Sequence, residues 1–228
     1  MSVSETLRSR ASIRGYTDRD VPIGMVREIL DAARWSPSGG NLQPWKVIVV
    51  AGNARDGVCE LAHRALTLNP GGEDGDYPVY PEKVRSPFRE RRRQAACQRY
   101  AAMGVDPDDK AALAAYVARN FEFWGAPVGL FFVIPRDFGH SQWAHLGMFV
   151  QSVALAATEL GLGTCAQEAW AKVRESLRVH FGLPGNEVIY CGMALGYPDW
   201  ARPINAVRTA REKVAGFATF LGFREQGE

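Results

Sequence analysis

Three short apolar runs limit what this chain can fold into. WKVIVVA at 45–51, PVGLFFVI at 127–134 and EVIYCGMAL at 187–195 read as buried strands. The intervals between them are long, and most of their residues carry helical patterns. Strands and helices therefore do not alternate one for one, which favours an α+β fold over a doubly wound parallel sheet.

Residues 22–35 read as a helix, with Val26, Ile29, Leu30 and Ala33 at i, i+3, i+4 and i+7, Asp20 as a cap and Pro22 in the first turn. The loop 36–44 follows, dense in turn formers. Helices are expected at 53–68 and 82–103, with a loop at 69–81. Asp106-Pro107-Asp108-Asp109 then opens a helix that runs to about 124, with Leu113, Tyr116, Val117, Phe121 and Trp124 on its apolar stripe. Further helices are expected at 142–160 and 172–180. Gly161-Leu162-Gly163 reads as a helix stop. No internal repeat is visible, and the 228 residues are expected to form one domain, 1–228.

Composition excludes several classes. With 46% hydrophobic and 23% charged residues the chain is not an intrinsically disordered one. Its longest apolar stretches fall far short of the roughly 20 residues that span a bilayer. MSVSETLRSRASIR has no apolar core and does not read as a secretory signal. A soluble, cytoplasmic protein is expected. Lys and Arg number 27 against 25 Asp and Glu, too balanced to suggest nucleic-acid binding. The four cysteines form no C-x-x-C pair and the four histidines no H-E-x-x-H motif, so no metal site is expected. Neither G-x-G-x-x-G after a strand, nor a Walker-type loop, nor G-x-S-x-G is present.

Three features remain as candidates for chemistry. In an extended segment Arg10, Ser12 and Arg14 point the same way, two guanidinium groups and a hydroxyl suited to a phosphate and a polar ring edge. The alternative is a solvated N-terminus. The loop 36–43 gathers backbone N–H groups, small side chains, Asn41 and Gln43. It suits a flat polar ligand edge or is a plain helix-to-strand connection. Asn120 falls on an apolar helical stripe, where its amide needs a partner in the chain or in a ligand. Besides these, Arg89-Glu90-Arg91-Arg92-Arg93 is either a solvated helix face or a patch for anionic substrates or dinucleotide phosphates.

Together these segments resemble the FMN-dependent nitroreductase family over most of the chain. RASIRGY is similar to the family's R-x-S-x-R grip, and WSPSGGNLQPWKVIVV to its helix–loop–strand signature. RNFEFWGAPVGLFFVI, LGMFVQSVALAATELGLGTCAQEAW, CGMALGYPD and NAVRTAREKVAGF follow in order. NFEFWGAPVG and TCAQEAW look most like the nitrobenzoate-type reductases.

The resemblance implies a mostly antiparallel sheet flanked by helices, in a homodimer that exchanges a C-terminal strand, to which 219–223 would correspond. It implies that Arg10, Ser12 and Arg14 hold FMN, with Arg10 and Arg211 on the phosphate and Arg208 beside them. Where the family often has a basic residue two before the final arginine, this chain has Thr209. Pro37, Ser38, Gly39 and Asn41 would reach the partner subunit's flavin. Asn120 would face the ring, and Gln167, Glu168 and Ala169 would line it, with a backbone N–H near N5. No catalytic side chain is implied, since the flavin N5 performs hydride transfer from NADPH or NADH in two-electron ping-pong order. The acceptor would be a nitroaromatic or similar small molecule. The insert 69–103 would cover the site, its Tyr77, Tyr80, Phe88 and arginines suiting an anionic nitroaromatic, or would be a structural excursion. Other activities on the same scaffold carry the same motifs: reductive dehalogenase, azoline oxidase, flavin-fragmenting enzyme, or a non-catalytic flavin-binding protein.

Overall fold

The computed structural model describes residues 1–73 and 77–223. The three apolar runs form β1 (Lys46–Ala51), β2 (Val128–Pro135) and β4 (Glu187–Gly196). With β3 (Gly163–Gln167) they make a four-stranded sheet in the order β1-β2-β4-β3, antiparallel throughout. Both faces of β2 are covered, so it reads as one continuous apolar run. Leu130, Phe132 and Ile134 pack against Val26 and Ile29 of α2 (Ile23–Ala33) and Leu146, Phe149 and Val153 of α6 (His140–Glu159). Phe131 and Val133 point the other way, to Val58 and Ala62 of α3 (Gly52–Leu68), Trp170, and Leu177 of α7 (Arg174–His180).

The pairing of β2 with β4 slips by one residue. Phe132 faces Cys191 and Val133 faces Ile189, so Tyr190 is the extra residue of a β-bulge.

Several boundaries differ from the sequence reading. α1 (Val3–Ser9) was not expected; Ser2 and Glu5 close a capping box at its start. The next helix starts at Ile23 with Pro22, not Asp20, as its cap residue. The helix expected at 82–103 is α4 (Phe88–Met103), because Ser86 precedes Pro87 and is steered away from helical geometry. The helix expected at 106–124 is α5 (Lys110–Ala118), capped by Asp109, which accepts from the Ala111 and Ala112 N–H groups at 2.9 and 3.0 Å. A 3-10 segment, Arg119–Gly125, follows with left-handed Phe123 and Trp124. Gly161 does stop α6, at φ 75°, but the chain enters β3 two residues later. After α8 (Pro203–Ala206) the tail to 223 forms no strand within the single chain, and Phe217, Phe220, Leu221 and Phe223 stand exposed. No described helix is long and apolar enough to cross a membrane.

Candidate active site: an arginine cleft and a ring-sized cleft joined by one strand

Residues 10–14 run extended beside β3. Ser12 bridges Thr164, the Ile13 N–H donates to the Thr164 carbonyl at 2.9 Å, and the Ile13 side chain is buried. With Ile13 turned inward, Arg10, Ser12 and Arg14 share the outer side. Asn205, 1% exposed, fastens the C-terminal segment to them. Its Oδ1 accepts from the Arg14 N–H at 2.8 Å, and its Nδ2 donates to the Gly15 and Asp199 carbonyls at 2.7 and 2.8 Å. That buried knot brings Arg208 and Arg211 beside Arg10.

The result is a cleft of about 450 Å³ walled by Arg8, Arg10, Arg14, Arg99, Arg208 and Arg211, with no carboxylate among its described lining residues. Arg208 Nη1 donates to the Asn205 and Val207 carbonyls, and Arg211 Nη1 to the Thr209 and Ala210 carbonyls and the Thr209 hydroxyl. These bonds orient the guanidinium groups without neutralising them. Burial, then the charges of Arg211 and Arg208, depress the pKa of Arg10. Converging guanidinium groups with no described counter-charge make this recess strongly positive, a setting that favours anions. Arg99, supplied by the insert, and Asn205 were missed in the sequence. Neither lies in a pattern with chemistry of its own.

Gln167 lies three residues along β3 from Thr164, about 10 Å at strand rise. There a second cleft of about 740 Å³ opens, lined by Asn120, Gln167, Glu168, Ala169, Tyr77 and Tyr190 among others. The sequence-predicted residues Asn120, Gln167, Glu168 and Ala169 thus come together. Asn120 sits in the 3-10 segment rather than on an α-helix, and its amide is engaged within the chain. Nδ2 donates to the Val117 carbonyl at 2.9 Å, and Oδ1 accepts from Trp124 Nε1 at 3.2 Å. The cleft wraps the Glu168 carboxyl enough to raise its pKa, and a hydrogen bond with Tyr190 opposes the shift.

The insert roofs this cleft. The Glu73 carboxylate accepts from the Glu175 N–H at 2.7 Å and from the N–H and hydroxyl of Ser176, which caps α7. Tyr77 packs edge-on against Trp143. Val79 and Tyr80 complete the lining from this side.

The loop 36–43 lies elsewhere. Ser36 Oγ bonds the Ser152 hydroxyl at 2.7 Å, and the Gly39 N–H donates to His145 Nδ1 at 3.4 Å, so the loop rides on its own α6. Gly40, Asn41 and Gln43 adopt left-handed backbone. Pro37, Gly39 and Asn41 are exposed, Ser38 half-buried, and none of them lines either cleft.

The sequence model of the Nitroreductase family matches residues 7–197. The nitrobenzene nitroreductase of Ectopseudomonas oleovorans is 33% identical over 219 residues, covering 96% of each chain. A 4-nitrobenzoate reductase of Pseudomonas putida is 32% identical over 94% of this chain and 93% of its own. Among solved structures, the FMN and NADPH-dependent nitroreductase NfnB from sphigopyxis sp. strain HMH superposes with a TM-score of 0.95 at 35% identity, covering 98% of this chain and all of that one.

Proposed function

The chain belongs to the nitroreductase family, and from that premise we propose how its residues serve an FMN-dependent, NAD(P)H-driven reduction of nitroaromatic acceptors. When bound, FMN supplies two-electron hydride transfer from the nicotinamide to the acceptor, and no side-chain nucleophile is required.

One observation carries the residue assignment. An arginine cleft with no carboxylate among its described lining residues and a cleft of ring size sit at the two ends of β3. Their spacing matches a phosphate joined to a flat ring by an extended ribityl chain. Arg10, Arg208 and Arg211 are assigned to the phosphate, and Ser12 and Arg14 to the ribityl and pyrimidine side. A fixed cation at Arg14 stabilises negative charge as it develops there. Asn120, Gln167, Glu168 and Ala169 would line the ring, and a main-chain N–H of this segment would be available to it. The rest of the larger cleft, under the 69–103 insert, receives nicotinamide and acceptor in turn.

Pro37, Ser38, Gly39 and Asn41 are assigned to the site of a second subunit. The loop is exposed and held away from both clefts of its own chain, and Phe217, Phe220, Leu221 and Phe223 of the tail stand exposed among the described residues. A homodimer that exchanges this tail accounts for both features. Cytoplasmic residence fits a donor drawn from the nicotinamide pool, and the four unbridged thiols of Cys59, Cys97, Cys165 and Cys191.

The test is an acceptor panel on FMN-loaded protein. Nitrobenzene and 4-nitrobenzoate are expected to yield nitroso and then hydroxylamine products under NADPH or NADH. Turnover of an iodotyrosine with no turnover of nitroarenes would move the protein to the dehalogenases. A bound flavin that neither donor bleaches would make it a flavin-binding protein without catalysis.

A further inference from the structure

The insert holds a third opening, of about 780 Å³, walled by Tyr80, Lys83, Arg85, Phe88, Arg92 and Arg99, with no carboxylate among its described lining residues. The arginine run of α4 is sorted around it. Arg89 pairs with Glu90 at 2.9 Å and Arg91 pairs with Glu212, whereas the Arg92 guanidinium lies over the Tyr80 ring, 4.3 Å from its centroid. Tyr80 also lines the ring-sized cleft, and Arg99 also lines the arginine cleft. The third opening therefore adjoins both.

Its chemistry differs from that of the ring-sized cleft. There Glu73 and Glu168 oppose the single cation Lys172 among the described lining residues, an unfavourable setting for phosphate. Four cations and two aromatic rings past Tyr80 suit an aromatic base bearing a phosphate. A nitrobenzoate has one ring and one carboxylate. With its nitro group in the ring-sized cleft it has no second aromatic body to fill an opening of this size. A dinucleotide whose nicotinamide lies in that cleft does. NADPH differs from NADH by one phosphate on the adenosine ribose, and a cluster of cations discriminates on that group.

We propose that this pocket takes the adenosine 2′-phosphate end of NADPH, which makes residues 80–99 of the insert the element that sets donor preference. The inference rests on the functional reading above.

The test uses FMN-loaded protein, with Arg92→Gln and Lys83→Gln as variants and Arg93→Gln, which lines none of the three clefts, as control. Calorimetry measures binding of adenosine 2′,5′-bisphosphate against AMP, and anaerobic rapid mixing follows flavin bleaching by NADPH and by NADH. Wild type is expected to favour the 2′-phosphorylated member of each pair. Each pocket variant should weaken adenosine 2′,5′-bisphosphate and NADPH by about tenfold, the worth of one charge-assisted hydrogen bond, with AMP, NADH and flavin content unchanged. Lys83 precedes α4, so its variant carries the test if Arg92→Gln does not fold. Equal binding of the bisphosphate and AMP, or equal losses for both donors, overturns the proposal. So does a loss confined to reoxidation by 4-nitrobenzoate, which would give the pocket to the acceptor. If neither donor bleaches the flavin, the functional reading fails, and the calorimetry still decides the pocket.

Discussion

Tyr77 donates its hydroxyl hydrogen to the main-chain carbonyl of Tyr190 at 2.9 Å, and Tyr190 is the residue that β4 carries in excess opposite β2. A bulge leaves carbonyls outside the regular ladder. Here Arg174 Nε takes that of Ile189 at 2.8 Å and the insert takes that of Tyr190. An irregularity in the central sheet thus forms the seat of the roof over the ring-sized cleft. Tyr77→Phe should cost about 1 kcal/mol in urea unfolding, the net worth of one hydrogen bond. A loosened roof should raise acceptor KM by up to about fivefold while FMN affinity stays near wild type. An equal loss in FMN affinity would show that Tyr77 supports the whole site rather than its roof.

Gln167, 2% exposed, ties β3 to the 3-10 segment 119–125 by donating to the Asn120 carbonyl at 2.7 Å. Its Oε1 also accepts from Trp170 Nε1 at 3.4 Å. Gln167→Ala leaves the buried Trp170 N–H and the half-buried Asn120 carbonyl without this partner, so the FMN-free protein should lose about 1–3 kcal/mol in chemical denaturation.

The arginine cleft gives effects of opposite sign on binding and on stability. Arg211 helps to depress the pKa of Arg10, so the two cations repel in the FMN-free fold. Arg211→Gln should raise the melting temperature of the FMN-free protein and weaken FMN at least about tenfold, with a shallower salt dependence of binding. A variant that loses stability without FMN would place Arg211 in a structural role.

Burial raises the Glu168 pKa, so the native state keeps its proton to higher pH than the unfolded chain does. Native protein then binds more protons between the two pKa values, and stability falls as pH rises through that window. Below the unfolded value, about 4.3, no penalty is present; above the native value it is present in full. Glu168→Gln should therefore match wild type at the acid end and melt higher than wild type near neutrality. Melting curves taken across that range check the crossover.

The assignment of the 36–43 loop to a second subunit's site has a direct consequence. One variant altered at Pro37 and Asn41 and another at Arg10 and Arg211 should each be inactive. Unfolded and refolded together, they should form mixed dimers in which one site takes both intact halves. Random pairing restores about a quarter of the sites. No recovery at any mixing ratio would place loop and cleft in the same site of one chain.

Much of this was legible in the residues. β2 stands out because a strand covered on both faces must be apolar throughout, and PVGLFFVI is short, apolar and rich in β-branched and aromatic residues. The side shared by Arg10, Ser12 and Arg14 follows from strand periodicity alone. β3 was hidden because GTCAQ packs small residues where neighbours leave no space. A Cβ on Gly163 would lie 2.5 Å from Ile13 Cγ1, and that contact belongs to the fold, not to local sequence. The bulge at Tyr190 was equally silent, since EVIYCGMAL alternates no differently from a regular strand. Nor does any spacing connect Asn205 to Arg14, which lie 191 residues apart. Within the run 106–109 the cap falls to Asp109 because only the residue adjoining the alanine-rich run can bond its first N–H groups.

The most direct test of the whole account is a visible spectrum of the purified protein, loaded with FMN if required, before and after anaerobic NADPH and again after a nitroarene. A flavin spectrum that bleaches with the donor and returns with nitrobenzene, the flavin being lost in an Arg10→Ala, Arg211→Ala double variant, is the expected result. Failure to hold FMN at all, or a double variant that holds it as tightly as wild type, would contradict the account.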